Sequence, residues 1–383
     1  MQARAPASRT GAVRLTSRAA RCVSGVSGLL ALVAGCGARP PPEPPAAGAR
    51  DAERIAIVAS ERGPSGARLV AIDEQGDRRF ELVAPVAAGV VRDMNPAISP
   101  DGRWLAFVST RGRTLDATSL WLAPLRPEAT PVRLTEGAWI DSHPAWTRDG
   151  RALVFASTRD GGDFDLWRLP LADGRAAGPA EQLTTAPSHE VTPAVAADGA
   201  IVYAAVTPMG GAEVLSRLEE RAPDGTIRAL TEGPADTSPA LSPDGTSIAF
   251  ARPAVHDGVP HSELWRVARG GGAATLLVGL PLTDESGPVW SRDGRFVFAT
   301  SVLRGAGGRP LFSSVVHVDL QEVPAKARIL RDRAGAIARF TPAVAAARLD
   351  APALHGDPEY LPELARIMAD AIAKAQASAP AGP

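Results

Sequence analysis

Three features of this 383-residue sequence predict an all-β fold built from repeated four-stranded units. The first is a proline followed by two small or apolar residues, which recurs with spacings of 48, 49, 46, 49 and 54 residues at Pro96, Pro144, Pro193, Pro239, Pro288 and Pro342. The second is an Asp-Gly pair that follows each of the first five prolines. The third is that residues 54–346 contain no amphipathic helical pattern of ordinary length. A period in the forties with turn residues at fixed places is typical of β-propeller blades.

The composition agrees with a turn-rich folded protein and excludes several classes. The chain carries 41 Lys and Arg against 42 Asp and Glu, for a formal net charge of −1. A dedicated nucleic-acid binder needs a basic excess or a basic face, so this class is excluded. Only two cysteines are present, too few for a disulfide framework or a four-cysteine zinc site.

The N-terminal residues 1–35 are typical of a secretory signal peptide. They contain no acidic residue, and five arginines precede a small and apolar run from Val23 to Gly35. This run is shorter than the roughly 20 apolar residues that a membrane-spanning helix needs. We therefore expect these residues to direct export.

The end of this run, Val33-Ala34-Gly35-Cys36, resembles the bacterial lipobox, which implies that Cys36 is lipidated. The alternative is an ordinary signal peptide with an incidental cysteine. Residues 36–53 are rich in proline and are expected to form a semi-extended tether. By resemblance to sorted bacterial lipoproteins, Gly37 favours the outer membrane, with the protein facing the periplasm and surface exposure left open.

Each repeat is expected to contain four short antiparallel strands. The Asp-Gly pair tolerates positive φ and joins the first two strands as a hairpin. The third strand carries an apolar pair such as Leu120-Trp121, and the fourth resembles the segment Val132 to Thr135. Together these strands predict one propeller blade per repeat.

The ends of the repeat region indicate how the ring closes. The first unit starts at Arg54 without a proline-led strand, and the unit opened by Pro342 reaches no Asp-Gly turn. One C-terminal strand would therefore complete the N-terminal unit, giving a six-bladed β-propeller over residues 54–346. Residues 347–383 are expected to form a short helix starting at Asp357-Pro358, followed by a tail.

Three segments carry a family resemblance. They are Ser99-Pro100-Asp101-Gly102-Arg103, Ser242-Pro243-Asp244-Gly245, and Ser157-Thr158-Arg159-Asp160-Gly161 leading to Asp165-Leu166-Trp167. With these segments the chain resembles the TolB propeller and, more broadly, the PD40 or WD40-like repeat family. Tricorn-type proteases and the dipeptidyl peptidase IV group share such repeats, so the resemblance implies a fold more specifically than an activity. The short segments flanking residues 54–346 predict neither the α/β domain of TolB nor a hydrolase domain.

The residue three positions before each repeated proline is charged, and these residues form the candidate binding ring: Asp93, Asp141, Glu190, Asp236, Glu285 and Arg339. We expect them near one mouth of the central channel, where unpaired like charges would raise one another's pKa. One hypothesis is that backbone N–H groups of the local turns bind each carboxylate. The other is that the mouth binds a basic partner or a cation.

Two further residues, His143 and Trp146, flank a repeated proline and are secondary binding candidates. An aromatic ring beside a histidine can bind a sugar or a peptide, whereas the alternative for Trp146 is core packing. No zinc-binding histidine spacing and no Gly-x-Ser-x-Gly motif occur in the chain. We therefore expect no catalytic residue, metal or cofactor.

The function predicted from the sequence is a monomeric, non-catalytic, lipid-anchored propeller that binds an envelope protein or a peptide segment. Binding of a glycan or a small ligand at the channel mouth is the main alternative. A propeller lyase or hydrolase is a third hypothesis, although no constellation of acid, base and metal ligands is evident.

Overall fold

The computed structural model describes residues 55–63, 66–73, 79–86, 89–114, 116–210, 213–256, 258–279, 283–305, 310–322, 327–329 and 339–344. All secondary-structure elements in these ranges are β-strands, which confirms the all-β prediction. No apolar helix of bilayer-crossing length occurs within them. The predicted signal peptide (1–35), Cys36, the tether and the C-terminal helix within 347–383 lie outside the described residues.

The C-terminal strand pairs with the first N-terminal strand. Three N-terminal strands follow one another as antiparallel neighbours: β1 (Ile55–Gly63), β2 (Gly66–Asp73) and β3 (Arg79–Glu81). The last strand of the chain, which we number β25 (Arg339–Val344), lies antiparallel to β1 with Ile57 opposite Val344. These four strands, the Arg339 unit, therefore combine the two ends of the repeat region, as predicted.

The following units are contiguous in sequence, and each is named after the charged residue at the start of its first strand. The Asp93 unit contains β4 (Val91–Ile98), β5 (Trp104–Ser109), β6 (Ser119–Pro124) and β7 (Val132–Arg133). The Asp141 unit contains β8 (Asp141–Trp146), β9 (Ala152–Ser157), β10 (Asp165–Ala172), β11 (Arg175–Ala176) and β12 (Glu181–Gln182). In the latter unit both β11 and β12 pair with β10.

The remaining strands repeat the same antiparallel order. The Glu190 unit contains β13 (His189–Val195), β14 (Ile201–Gly210), β15 (Glu213–Arg221) and β16 (Ile227–Ala229). The Asp236 unit contains β17 (Thr237–Leu241), β18 (Ser247–His256), β19 (Val259–Ala268) and β20 (Thr275–Val278). The Glu285 unit contains β21 (Thr283–Trp290), β22 (Phe296–Arg304), β23 (Pro310–Asp319) and β24 (Ala327–Ile329).

The first strands of the units contact one another in cyclic succession. The strands β4, β8, β13, β17 and β21 each contact the next, and β25 contacts both β21 and β4. Because the pairing pattern repeats from unit to unit, equivalent positions lie at the same end of this circle. We call the end at which the first strands begin the entrance.

The apolar core is divided into layers between neighbouring units. Phe107 packs with Val58 and Leu69 between the Asp93 and Arg339 units, and Phe298 packs with Ile57 between the Glu285 and Arg339 units. All five side chains are almost completely buried. The circle of strands is thus held by side-chain packing as well as by the β1–β25 hydrogen bonds.

The predicted Asp-Gly hairpins join the first and second strands at the end opposite the entrance. In one of them, Asp101 Oδ1 accepts hydrogen bonds from Ser99 Oγ at 2.6 Å and from the Arg103 N–H at 3.0 Å. Gly102 has a φ of 74°, a conformation that glycine adopts without a steric penalty. These hydrogen bonds to the aspartate explain why a serine occurs two residues before the Asp-Gly pair in this turn.

Candidate functional site

A backbone bulge interrupts the first strand of each unit just after the candidate ring residue. The residue before the repeated proline has a φ between 47° and 57° in all of these strands: Asn95, His143, Thr192, Ser238, Gly287 and Thr341. The register of each first strand with its second strand shifts at this point. Residues before proline usually have extended backbones, and left-handed non-glycine residues cost of order 1–3 kcal/mol each. This bulge was not predicted from the sequence.

Five candidate ring residues are buried at the entrance. Asp93, Asp141, Glu190, Asp236 and Glu285 each have at most 1% of their surface exposed. The sixth position, Arg339, begins β25 and lies opposite Glu61 in register. The repeat therefore brings the candidate residues to equivalent positions. Their hydrogen-bond partners determine which carboxylates are already paired within the protein.

Hydroxyl groups of neighbouring strands hold several of these positions through the backbone. Ser60 Oγ donates to the carbonyl oxygen of Asp93 at 2.7 Å, and Ser216 Oγ donates to that of Asp236 at 2.6 Å. Thr118 Oγ1 makes the same bond to Asp141 at 2.6 Å. Each donor belongs to the unit before the acceptor, so these bonds tie successive units together at the entrance.

The Asp93 carboxylate is paired with an arginine of its own unit. Arg111 Nη2 donates to Oδ2 at 2.6 Å and Nε donates to Oδ1 at 3.0 Å. Ser109 Oγ adds a bond to Oδ1 at 2.6 Å. Such a two-pronged arrangement is among the strongest that a guanidinium can make with a carboxylate.

Asp141 has an equivalent arrangement. Arg159 Nη2 and Ser157 Oγ donate to Oδ1 at 2.8 and 2.7 Å, and Thr135 Oγ1 donates to Oδ2 at 2.5 Å. The Arg159 guanidinium also lies 4.8 Å from the Phe155 ring centroid, within cation–π distance. One hypothesis from the sequence was that backbone N–H groups bind each carboxylate, but the donors to the Asp93 and Asp141 carboxylates named above are side chains.

Asp236 completes the set of aspartates that bind an arginine. Arg252 Nε and Nη2 donate to its two carboxylate oxygens at 2.7 and 2.8 Å. The hydrogen bond to Asp236 raises the pKa of Arg252 above its ordinary value, and the guanidinium stacks 5.0 Å from the Phe250 ring centroid. We call the Asp93, Asp141 and Asp236 units the aspartate units.

Glu190 has a different environment. Ser188 Oγ donates to Oε1, whereas Oε2 is buried and has no hydrogen-bond partner. Burial raises the pKa of Glu190 to about 7, and the nearby Asp165 carboxylate adds to this rise. Burial also raises the pKa of Asp165, so two acidic groups lie close together in a poorly hydrated place.

Glu285 repeats the pattern of Glu190. Thr283 Oγ1 and Ser301 Oγ donate to Oε1 at 2.6 and 3.0 Å, whereas the buried Oε2 has no hydrogen-bond partner. Burial raises the pKa of Glu285 to about 7. We call the Glu190 and Glu285 units the glutamate units, since each presents one unsatisfied carboxyl oxygen at the entrance.

The strand register explains the contrast between the two kinds of unit. Asp93 and Asp141 lie opposite Ser109 and Ser157, and the arginine that binds each aspartate follows two residues later. Glu190 lies opposite Ala205 and Glu285 lies opposite Ser301, so the corresponding positions are occupied by Thr207 and Leu303. The glutamate units therefore lack a guanidinium at the place where two aspartate units have one.

The secondary candidates His143 and Trp146 lie on β8. Although part of its surface is accessible, the dense packing around His143 lowers its pKa to about 4, so its imidazole is neutral at neutral pH. The Trp146 indole Nε1 donates to the Ala97 carbonyl of the Asp93 unit at 3.0 Å. Trp146 therefore contributes to the contact between the Asp141 and Asp93 units.

The loop from Asp160 to Asp165 connects β9 and β10. The Gln182 amide donates to Asp160 at 3.1 Å and to Asp165 at 3.0 Å. Within the described ranges, no three His, Cys, Asp or Glu side chains come together as a possible metal site. The side chains described at the entrance are carboxyl groups, hydroxyl groups and the arginines that bind the aspartates.

A comparison with protein-family models identifies the fold family. The model described as PD40, the TolB beta propeller domain, matches residues 47–294, which is more than half of the chain. The chain belongs to this family. No curated protein matches the sequence.

Solved structures support the PD40 assignment at the level of the fold. TolB from Acinetobacter baumannii has a TM-score of 0.55 and 19% identity, over 76% of this chain and 67% of that one. A TolB protein from Agrobacterium tumefaciens has a TM-score of 0.50 and 17% identity, over 76% and 98%. Hydrazine synthase from Kuenenia stuttgartiensis has a TM-score of 0.56 and 14% identity, over 78% and 48%. At these identities the likeness concerns the PD40 propeller fold, which does not by itself assign an activity.

Proposed function

We propose that this PD40 protein is a non-catalytic, lipid-anchored β-propeller of six blades that binds a protein or peptide segment at the entrance. Its proposed anchor is Cys36, and its proposed location is the outer membrane, facing the periplasm. The proposed binding site is the entrance bordered by the candidate ring, which consists of Asp93, Asp141, Glu190, Asp236, Glu285 and Arg339.

The cyclic contacts of the first strands support the six-bladed arrangement. Each named unit supplies one first strand to the circle, and the Arg339 unit joins the chain ends. Apolar layers occur between successive units, including one between the Glu285 and Arg339 units. In a ring of this kind the remaining edges are the short outer strands of the blades, which leaves the two ends of the ring as its natural binding surfaces.

The observation that carries the binding proposal is the difference between the aspartate and glutamate units. Asp93, Asp141 and Asp236 are satisfied by internal arginines and stabilise the entrance. Glu190 and Glu285 retain one carboxyl oxygen each without a partner. Buried polar groups in folded proteins are almost always hydrogen-bonded, so exceptions are candidate places for an external donor.

Affinity capture tests this function. The full-length anchored protein is purified from solubilised bacterial envelopes, and the proteins that co-purify with it are identified. The same protein is applied to a glycan array to detect glycan ligands. We expect a specific protein partner and no glycan ligand. Glycan binding without a protein partner, or cleavage of polyuronides by the purified protein, would contradict the proposal.

Lipid labelling tests the anchor separately. Metabolic labelling with a fatty acid should mark the wild-type protein and leave Cys36→Ala unlabelled, because the acyl chains require the cysteine. Several acyl chains at about 0.8 kcal/mol per buried CH₂ hold a protein firmly at a membrane. Equal labelling of both proteins would exclude Cys36 as the anchor.

A further inference from the structure

We propose that Glu190 and Glu285 receive basic side chains of the protein partner, which occupy the role that internal arginines have in the aspartate units. This inference rests on the proposed protein-binding function and specifies the chemistry of the partner. The partner segment would carry lysine or arginine side chains spaced to reach two units that flank the Asp236 unit.

The aspartate and glutamate units of this chain differ in the partner of the ring carboxylate. Where the ring residue is an aspartate, a guanidinium donates two hydrogen bonds to it in the Asp93 and Asp236 units, and one in the Asp141 unit. In the glutamate units the second strand offers no such group, since Arg304 of the Glu285 unit is paired with Asp284. The aspartate units thus show that the ring carboxylate binds a guanidinium. In the glutamate units, the partner protein would have to supply this donor.

Unsatisfied acceptors also support the inference. The Oε2 atoms of Glu190 and Glu285 are buried without a hydrogen-bond partner, and so is Thr192 Oγ1, two residues along β13 from Glu190. A lysine ammonium has three donors and an arginine guanidinium has five, so either group can supply the hydrogen bond that such an oxygen lacks. A neutral or acidic partner residue would leave the same acceptors less well satisfied.

The groups around the two carboxyls favour a cation. Glu190 is faced by Asp165 from β10, by the Tyr203 hydroxyl from β14, and by the Ser188 and Thr184 hydroxyls. Glu285 is accompanied by Asp284 and is faced by His261 from β19 and by the hydroxyls of Thr283 and Ser301. An incoming ammonium or guanidinium would therefore meet acidic and hydroxyl oxygens, with His261 as the one basic neighbour among these groups.

Both carboxyls lie just beneath accessible chain. The segment 185–187, which leads into β13, is exposed, and Ser188 and His189 are partly exposed. Asp284 and Ser286 on either side of Glu285 are also partly exposed. A partner side chain could therefore approach each carboxyl group alongside these accessible residues.

Titration calorimetry with a lysine-rich peptide tests the inference, with a glutamate-rich peptide of equal length as the opposite-charge probe. The full-length protein should bind the lysine-rich peptide, and the double variant Glu190→Gln/Glu285→Gln should bind it at least about tenfold more weakly. Glu181→Gln removes an exposed carboxylate elsewhere and should leave the affinity unchanged. Equal affinities for the parent and double variant, or no binding by the parent, would overturn the inference.

A second variant supplies the missing group internally. Thr207→Arg places an arginine on the exposed position of β14 that corresponds to Arg111 and Arg159. This guanidinium should pair with Glu190 and weaken peptide binding at that unit. Unchanged peptide affinity, with the protein folded and as stable as the parent, would contradict the assigned role of Glu190.

The capture experiment separates failure of this inference from failure of the proposed function. If the parent captures an envelope protein and the double variant captures it equally well, the protein-binding function stands and the role of the glutamates is wrong. If the parent captures no protein at all, the proposed function itself fails.

Discussion

Replacement of Glu285 by glutamine should stabilise the protein above neutral pH. The carboxyl Oε2 of Glu285 is buried without a partner, and burial raises its pKa from 4.5 to about 7. The folded protein therefore holds a proton that the unfolded chain releases at lower pH. The stabilising contribution is fully present below about pH 4.5 and is lost as the pH rises to about 7.

The size of the effect follows from the same pKa difference. A shift from 4.5 to about 7 corresponds to about 3 kcal/mol at pH values above 7. Glutamine has nearly the same shape and does not ionise, so Glu285→Gln should keep most of this free energy. At the entropy of unfolding typical of a domain of this size, Tm should rise by about 5 °C at pH 8.

Thermal and urea unfolding between about pH 4 and pH 9, followed by tryptophan fluorescence, measures this effect. The stability difference between Glu285→Gln and the parent should grow from pH 4.5 to 7 and stay constant above it. Glu181→Gln, at an exposed carboxylate, is the matched control and should change stability by less than about 0.5 kcal/mol. A difference that does not vary with pH would refute the assignment of a buried, unpaired carboxyl group to Glu285.

Two further predictions concern the residues that hold the entrance and the contacts between units. Arg252→Ala leaves the buried Asp236 carboxylate unpaired and should lower the free energy of unfolding in urea by about 3–5 kcal/mol. An equal loss in Arg103→Ala, which removes an exposed arginine, would contradict this explanation. Trp146→Phe removes the hydrogen bond to the Ala97 carbonyl and should cost about 1–3 kcal/mol, and an unchanged urea midpoint would show that this bond adds nothing to the contact between units.

Much of the fold could be predicted because the repeat places strong local signals at fixed spacing. The Asp-Gly pairs predicted the hairpins, and the proline-led strand at Pro342 predicted that β25 completes the N-terminal unit. The left-handed residue before each proline was missed, because residues before proline usually adopt extended conformations. A small or polar residue before the proline, such as Asn95 or Ser238, was the sequence feature that could have indicated the left-handed conformation.

The candidate ring could be located from sequence, but its chemistry could not. The spacing alone identified five carboxylates at equivalent positions. Whether each one is paired depends on the register of the second strand, which places Arg111 beside Asp93 and Thr207 at the corresponding place near Glu190. Ser157 and Arg159 stand in a segment that carries the family resemblance, yet only the pairing of β8 with β9 connects them to Asp141.

Site-specific photocrosslinking tests most directly that the entrance binds a protein partner. A photoreactive residue at Ala186, in the exposed segment before β13, reports on the entrance, and the same residue at Asp149 reports on the turn at the opposite end of the ring. Irradiation of intact cells should crosslink a specific envelope protein to position 186 and not to position 149. Crosslinks at position 149 alone, or at neither position, would contradict the account.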